Sequence, residues 1–381
     1  DGRTLASWLD TTGAALRIYV RDEGARYPLH VDPLIWAQIG APNQPADADA
    51  GDRFGAAVAL AGTLAVVGAP GDDEFGPDAG AAYVFARSSG GAWVEKCKLL
   101  VGLATSGAQL GSAVAIAPAM GGKVRIVLGA PTDNTTGAVY WLSGDPSTTC
   151  DDTTLPLEYG LSGGMSGDLF GQAVAVSGDQ VALGAPGARA GDGYAAVVAP
   201  LGGLWVESVS DYGPAGSGQQ FGAAVSLTPT LFHVGAPAAD VGMAAAAGAY
   251  YSYVRGGMGG WARIGGFAVG TAGGRLGYSL AAWDGSLLVG EPDAAGGAGA
   301  AHLFVHDTGT GALIADLSPM GPVGLQAGDH YGTALSLHAG LAVVGAPGRA
   351  AAAGDDFVWE LLAGTWVVRP AISRKTVRAG E

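Results

Sequence analysis

The sequence predicts an all-β propeller assembled from repeated four-stranded blades. Three observations predict it. First, an aromatic residue or Leu followed by Gly recurs at Phe54-Gly55, Leu110-Gly111, Phe170-Gly171, Phe221-Gly222, Leu276-Gly277 and Tyr331-Gly332. Second, each is followed a short way downstream by a Gly-x-Pro mark: Gly68-Ala69-Pro70, Gly129-Ala130-Pro131, Gly184-Ala185-Pro186, Gly235-Ala236-Pro237, Gly290-Glu291-Pro292 and Gly345-Ala346-Pro347. Third, the text between the marks consists of short apolar runs punctuated by Gly and polar turns. The spacing of about 55 residues is within the range of one propeller blade, which makes the period the primary fold signal.

Along the chain, residues 1–50 carry strand-like text at Ala15–Val20, Pro28–Val31 and Leu34–Ile39 but neither mark. This segment reads as a degenerate blade or as the end of an upstream β-domain. Residues 51–370 hold the six repeats. Within a repeat, Ala57–Leu60 and Leu64–Val67 exemplify the two runs that flank a tight turn; runs without clean alternation suit strands buried on both faces. Pro after Gly-Ala ends the second strand, because it cannot donate to the ladder, and the Gly after the aromatic lets a neighbouring backbone approach. A polar, Gly-rich loop follows, then a third strand such as Ala82–Phe85 or Ala138–Trp141. The fourth strand often carries Trp, as at Trp93, Trp205, Trp261 and Trp366. Four strands per unit is the anatomy of a blade. Residues 371–381 form a tail with Arg374, Lys375 and Arg378, close to Arg369, basic against an otherwise acidic protein and suited to a linker or to an acidic partner.

The paired marks resemble the FG-GAP repeat of integrin α-subunit propellers and of many surface proteins. That resemblance implies seven blades, since 381 residues over seven is about 54 each, the size of one blade. Residues 1–50 would then supply the seventh; the alternative is a six-bladed ring with an N-terminal β appendage, and Ala25–Pro33 is similar to stretches that precede such arrays. The family often carries an Asp-x-Asp-x-Asp-Gly calcium loop between the marks. Calcium demands several closely spaced oxygens, whereas here Asp179 and Asp284 stand alone in their turns, so the resemblance does not carry calcium over.

Composition narrows function. With 49% hydrophobic and 14% charged residues, the chain supports a packed core despite 67 glycines. A net charge of −15 repels phosphate backbones and anionic lipid, which argues against nucleic acid and membrane surfaces as partners. The uncharged stretch Phe54–Gly71 would pass a hydropathy window, but its counterpart at 331–348 and its turn residues make it a buried hairpin. The two cysteines, Cys97 and Cys150, allow one bridge at most, and a bridge requires segment 143–165 to fold back toward the first blade. The chain starts at Asp1 without an n-region or h-region, which reads as a processed piece of a secreted or surface protein.

Candidate sites are few. Asp72, Asp73, Glu74 and Asp78 crowd one loop and Asp47, Asp49 and Asp52 another; each group reads as a solvated acidic loop or as a calcium-binding cluster, and no other cofactor is implied. Asp52, Asp168 and Asp329 share a Gly-Asp-x-x-Gly frame, in which Asp bonds local backbone N–H groups. Asn134 begins an Asn-x-Thr sequon in a loop expected to be exposed. His30, His233, His302, His306, His330 and His338 are scattered singly, and neither a helical His pair nor a Gly-x-Ser-x-Gly elbow occurs, so no catalytic residues are assigned. The resemblance implies a non-enzymatic extracellular or cell-surface module that binds, adheres or scaffolds through loops to other proteins of an assembly. The alternatives are a lectin-like propeller, which would use the recurring Trp residues against glycans, and an accessory domain of a larger secreted enzyme. On the loop reading, replacing Asp72, Asp73 and Glu74 with Ala changes stability by no more than about 0.5 kcal/mol.

Overall fold

A computed structural model describes Ser7–Asp10, Arg17–Val20, Pro45, and residues 47–368 other than 48, 103, 147–156, 163, 258, 268–269, 318–319, 323, 350–353 and 363–364. The chain divides into Asp1–Ala37 and Gln38–Glu381. The first unit contains an antiparallel hairpin, Ser7–Asp10 with Arg17–Val20. The strand text at 28–31 and 34–39, and the basic tail, lie outside the described residues.

The second unit holds six four-stranded antiparallel sheets, one per pair of marks, so among the described residues the count is six blades rather than seven. The hairpin at Ser7–Val20 forms a two-stranded sheet of its own. The reason is visible in the text: without the two marks, residues 1–50 lack the glycines on which, as shown below, each blade is hung from the next.

Blade 1 runs from Val58–Ala61 through Leu64–Ala69 and Ala81–Arg87 to Trp93–Leu99. In every blade the second strand ends on the residue before the mark's Pro: Ala69, Ala130, Ala185, Ala236, Glu291 and Ala346. In blades 1 to 5 the pairing of third and fourth strands slips by a bulge, as between Val84 and Phe85, which adds twist toward the rim.

Consecutive blades are joined by the marks. Gly80 bridges Leu110 in parallel, and Gly137–Phe170, Gly193–Phe221, Gly248–Leu276 and Gly299–Tyr331 repeat the contact. At each junction the Gly after the aromatic packs on the Gly of the preceding blade's Gly-x-Pro. A Cβ on Gly68 would lie 1.9 Å from the Gly111 carbonyl oxygen, and one on Gly184 would lie 1.9 Å from that of Gly222. Apolar cores form between the blades so joined, as where Val66 and Val84 of blade 1 meet Ile126 and Leu128 of blade 2. The described residues make no sixth junction. Gly55 meets nothing within 4 Å, Gly345 meets only its own blade's Ala334, and Val58 and Leu60 on the free face of blade 1 are 58% and 63% exposed.

Candidate functional site

The strand order puts two sets of loops at opposite ends of the blades. Loops after the Gly-x-Pro marks and loops between blades share one end; the two tight hairpins within each blade share the other.

At the mark-loop end the acidic loop of blade 1 divides: Asp73, Glu74 and Asp78 are exposed, while Asp72 is buried on a cation of the chain's own. Lys98, from the fourth strand, places Nζ 2.8 Å from Asp47, 2.7 Å from Asp72 and 2.8 Å from Glu74. The Tyr83 hydroxyl donates to Asp72 at 3.1 Å and reaches Asp47 at 3.0 Å. Asp72 is buried. The ammonium therefore stands where a cation bound by this loop would stand. Burial works to lower the Lys98 pKa, but the hydrogen bonds to Asp47, Asp72 and Glu74 outweigh it and hold it above the ordinary lysine range. Lys98 in turn holds Asp47 below the usual carboxylate range. Asp73 and Asp78 do not join: the Asp73 carboxylate caps the Asp78 N–H and Asp78 pairs with Arg53 across the surface. Lys98 was missed because a lysine 24 residues after Glu74 carries no local signal; the four-strand period, which returns the fourth strand past the loop, could have found it.

Other acids at this end also tie loops down. The Asp52, Asp168 and Asp329 carboxylates accept the backbone N–H of Asp49, Met165 and Gln326, as the shared frame predicts. Asp133, buried beside the sequon, accepts from Thr105 and from the Tyr140 hydroxyl, leaving Asn134 exposed at φ 47°. Glu291, which replaces Ala in the fifth mark, is 1% exposed and accepts Thr271 through one oxygen and His302 at 2.7 Å through the other. Burial pushes its carboxyl up, yet the bonds from His302 and Thr271 prevail and keep it low. The odd residue in that mark was the available clue.

Two histidines that the sequence scatters meet between blades 4 and 5. The rings of His233 and His306 lie 5.2 Å apart, both buried, with His233 Nδ1 2.8 Å from Ser252 Oγ. Burial first, and the neighbouring His306 second, push His233 down to about 3. Burial likewise lowers His306.

At the hairpin end most fourth-strand Trp rings are engaged in packing. Trp205 packs edge-on to Trp141 at 4.8 Å under the Arg125 guanidinium, and Trp261 meets Phe232. Arg125, from blade 2, also pairs with Asp179 at 2.8 Å and Glu158 at 3.1 Å. Asp284 has no such partner among the described residues. It sits in a depression of about 310 Å³ between blades 5 and 6, with Trp283, Ser286, Leu337 and Trp366. Cys97, on the fourth strand of blade 1 as expected, is disulfide-bonded. The chain's only other cysteine, Cys150, lies outside the described residues. No helix among the described residues is long and apolar enough to cross a membrane.

The FG-GAP repeat family model matches residues 44–85, which span the first pair of marks. No curated protein matches the chain. Among solved structures, that of a protein described as a 6-phosphogluconolactonase from Bacteroides uniformis superposes with a TM-score of 0.56 at 10% identity, over 83% of each chain, a likeness of fold alone. The family match falls on blade 1, and both marks recur at the same places in the other five blades, with each blade hung on the next by those glycines. The chain thus carries a match to the FG-GAP repeat in the first of six four-stranded propeller blades, and the same paired marks recur in the other five.

Proposed function

We propose that the protein is a binding module of an extracellular or cell-surface assembly, without catalytic activity of its own, and that it engages a protein partner through the mark-loop end. One observation carries the reading. The framework repeats from blade to blade, while the loops at this end differ and expose large apolar side chains at their tips: Phe75 in blade 1 at 53%, Met165 ahead of blade 3 at 75% and Met243 in blade 4 at 103%. An apolar side chain held in water on a tied-down loop has no packing role, and loops on rigid scaffolds are where recognition concentrates. The acids at this end bond their own loops, so they fix loop shape, and contact falls to the apolar tips. Met adapts to irregular surfaces and suits such a tip.

The test is co-purification from native material, followed by binding of the identified partner to Phe75→Ser and Met243→Ser proteins at unchanged melting temperature. Each variant is expected to weaken binding by about tenfold, the effect of one buried apolar anchor at an interface. Full binding by the double variant refutes the assignment of this end.

A further inference from the structure

Beyond the loop end, we propose that the depression between blades 5 and 6 at the opposite, hairpin end is a carbohydrate-binding site for a neutral, gluco-configured oligosaccharide. Two independent observations meet there. The first is a departure of the chain from its own repeat. The position seven residues after each aromatic or Leu of the first mark is Ala61, Ala117, Ser177 and Thr228 in blades 1 to 4, but Trp283 and His338 in blades 5 and 6. These two rings lie across the junction from each other, centroids 3.7 Å apart, and Trp283 is 43% exposed. Packing does not call for an indole at a position that the first four blades fill with small residues. With Trp366 from the fourth strand of blade 6, it puts two indoles along one groove.

The second observation is the state of the polar groups. Asp284, held at φ 52° at the tip of its hairpin, Ser286, His338 and the indole N–H groups of Trp283 and Trp366 make no side-chain hydrogen bond or ion pair among the described residues. By contrast, Asp72 is spent on Lys98, Asp133 on Tyr140, Asp179 on Arg125 and Glu291 on His302. Around this groove a carboxylate acceptor, a hydroxyl of both kinds and two N–H donors remain unspent.

That combination selects the ligand. A pyranose with equatorial hydroxyls presents bare C–H faces to the negatively polarised face of an indole, while its rim offers O–H groups that both donate and accept. Asp284 accepts from neighbouring hydroxyls, and the indole N–H and Ser286 groups satisfy ring and hydroxyl oxygens. A proline-rich peptide would also lie on paired Trp rings, but it brings carbonyl acceptors and would leave the Asp284 carboxylate facing them unpaired. A charged sugar acid is disfavoured by Asp284 and by the net charge of −15. At about 310 Å³ the depression is at the small end of ligand pockets and open to solvent, which suits a short stretch of a chain rather than an enclosed metabolite.

The experiment uses the full chain and three probes: cellotriose, the trimer of N-acetylglucosamine, and a proline-rich peptide. Binding is read by ligand-observed saturation-transfer NMR and by tryptophan fluorescence titration. One or both sugars are expected to bind, with Asp284→Asn and Trp283→Ala each weakening affinity by about tenfold and Phe75→Ser, at the other end, leaving it unchanged. Asn tolerates the positive φ of residue 284, so that variant folds even if the Trp283 variant does not. Saturation transfer to neither sugar, sugar binding unaffected by Asp284→Asn, or binding of the peptide alone each overturns the proposal. Because the protein-partner test reads Phe75 and Met243, either reading can fail without the other.

Discussion

The glycine of the Gly-x-Pro mark offers a controlled comparison, because the same substitution can be made where a neighbouring blade is present and where none is. At Gly184 an added Cβ would stand 1.9 Å from the Gly222 carbonyl oxygen and 2.8 Å from its carbon, all backbone atoms of blade 4. No side chain can swing away, so the blades must separate by more than an ångström. Overpacking of this kind costs about 1–3 kcal/mol, and backbone rigidity puts this case at the upper end. At Gly345 the nearest atoms are the Ala334 Cβ at 3.6 Å and oxygen at 3.7 Å, ordinary contact. Neither glycine has a positive φ, so Ala at 345 gains the loss of unfolded-state freedom, about 0.4–1 kcal/mol. Gly184→Ala is therefore expected to lower the denaturation midpoint markedly and Gly345→Ala to leave it equal or slightly raised, in urea melts followed by circular dichroism. Equal loss in both variants would show that blade 6 is packed against a neighbour like the others. A harmless Gly184→Ala would refute the account of the junctions altogether.

Lys98→Met is expected to destabilise by about 3–5 kcal/mol, because it strands the buried Asp72 carboxylate without its partner, whereas Glu74→Ala, with half of its side chain in solvent, should cost under about 1 kcal/mol; equal effects in chemical melts would overturn the view that Asp72 is the structural member. Acid should weaken the blade 4–5 junction. The folded pKa of His233 is depressed to about 3, so its contribution is present above the ordinary value of about 6.5 and is lost as pH falls through that value, reaching about 2 kcal/mol by pH 5. His306 and Ser252 lie against it and neither is a carboxylate that would reverse the sign; His233→Gln should flatten the fall, and an equally steep loss in that variant would place the acid sensitivity elsewhere. Reducing the Cys97 disulfide should lower the midpoint by the equivalent of about 2–4 kcal/mol, and identical melts with and without dithiothreitol would contradict a stabilising bridge.

The fold was legible because its determinants are periodic and local. Phe54-Gly55 and Gly68-Ala69-Pro70 fix a close approach and a strand end within a few residues of themselves, and six copies remove ambiguity. The blade count was not legible, since composition and length suit seven units equally well and only the junction glycines, absent before residue 51, decide which segments can be hung together. The side-chain nodes were hidden for a different reason. Lys98 reaches Asp72 and His306 reaches His233 through strand pairing and blade stacking, contacts made at long separation in sequence, where text alone gives no distance. The acidic loop is thus solvated at Asp73, Glu74 and Asp78, as its text suggests, and departs from that reading only at Asp72, which Lys98 holds in the interior.

The same nodes bear on where recognition can sit. A carboxylate that closes its own loop is already neutralised or hydrogen-bonded, and a partner that wanted it would have to break that bond while desolvating the group, which costs more than a new pair returns. Asp72, Asp133 and Glu291 are in this position, each buried and each bound to a side chain of its own blade. The groups still free to bind are those whose hydrogen-bonding capacity the fold has not used. The mark loops present apolar tips over satisfied acids, and the hairpin groove between blades 5 and 6 presents polar groups without a side-chain partner among the described residues, beside exposed rings. A protein surface, which brings its own large apolar contact area, suits the first. A sugar, which brings hydroxyls in excess of apolar surface, suits the second.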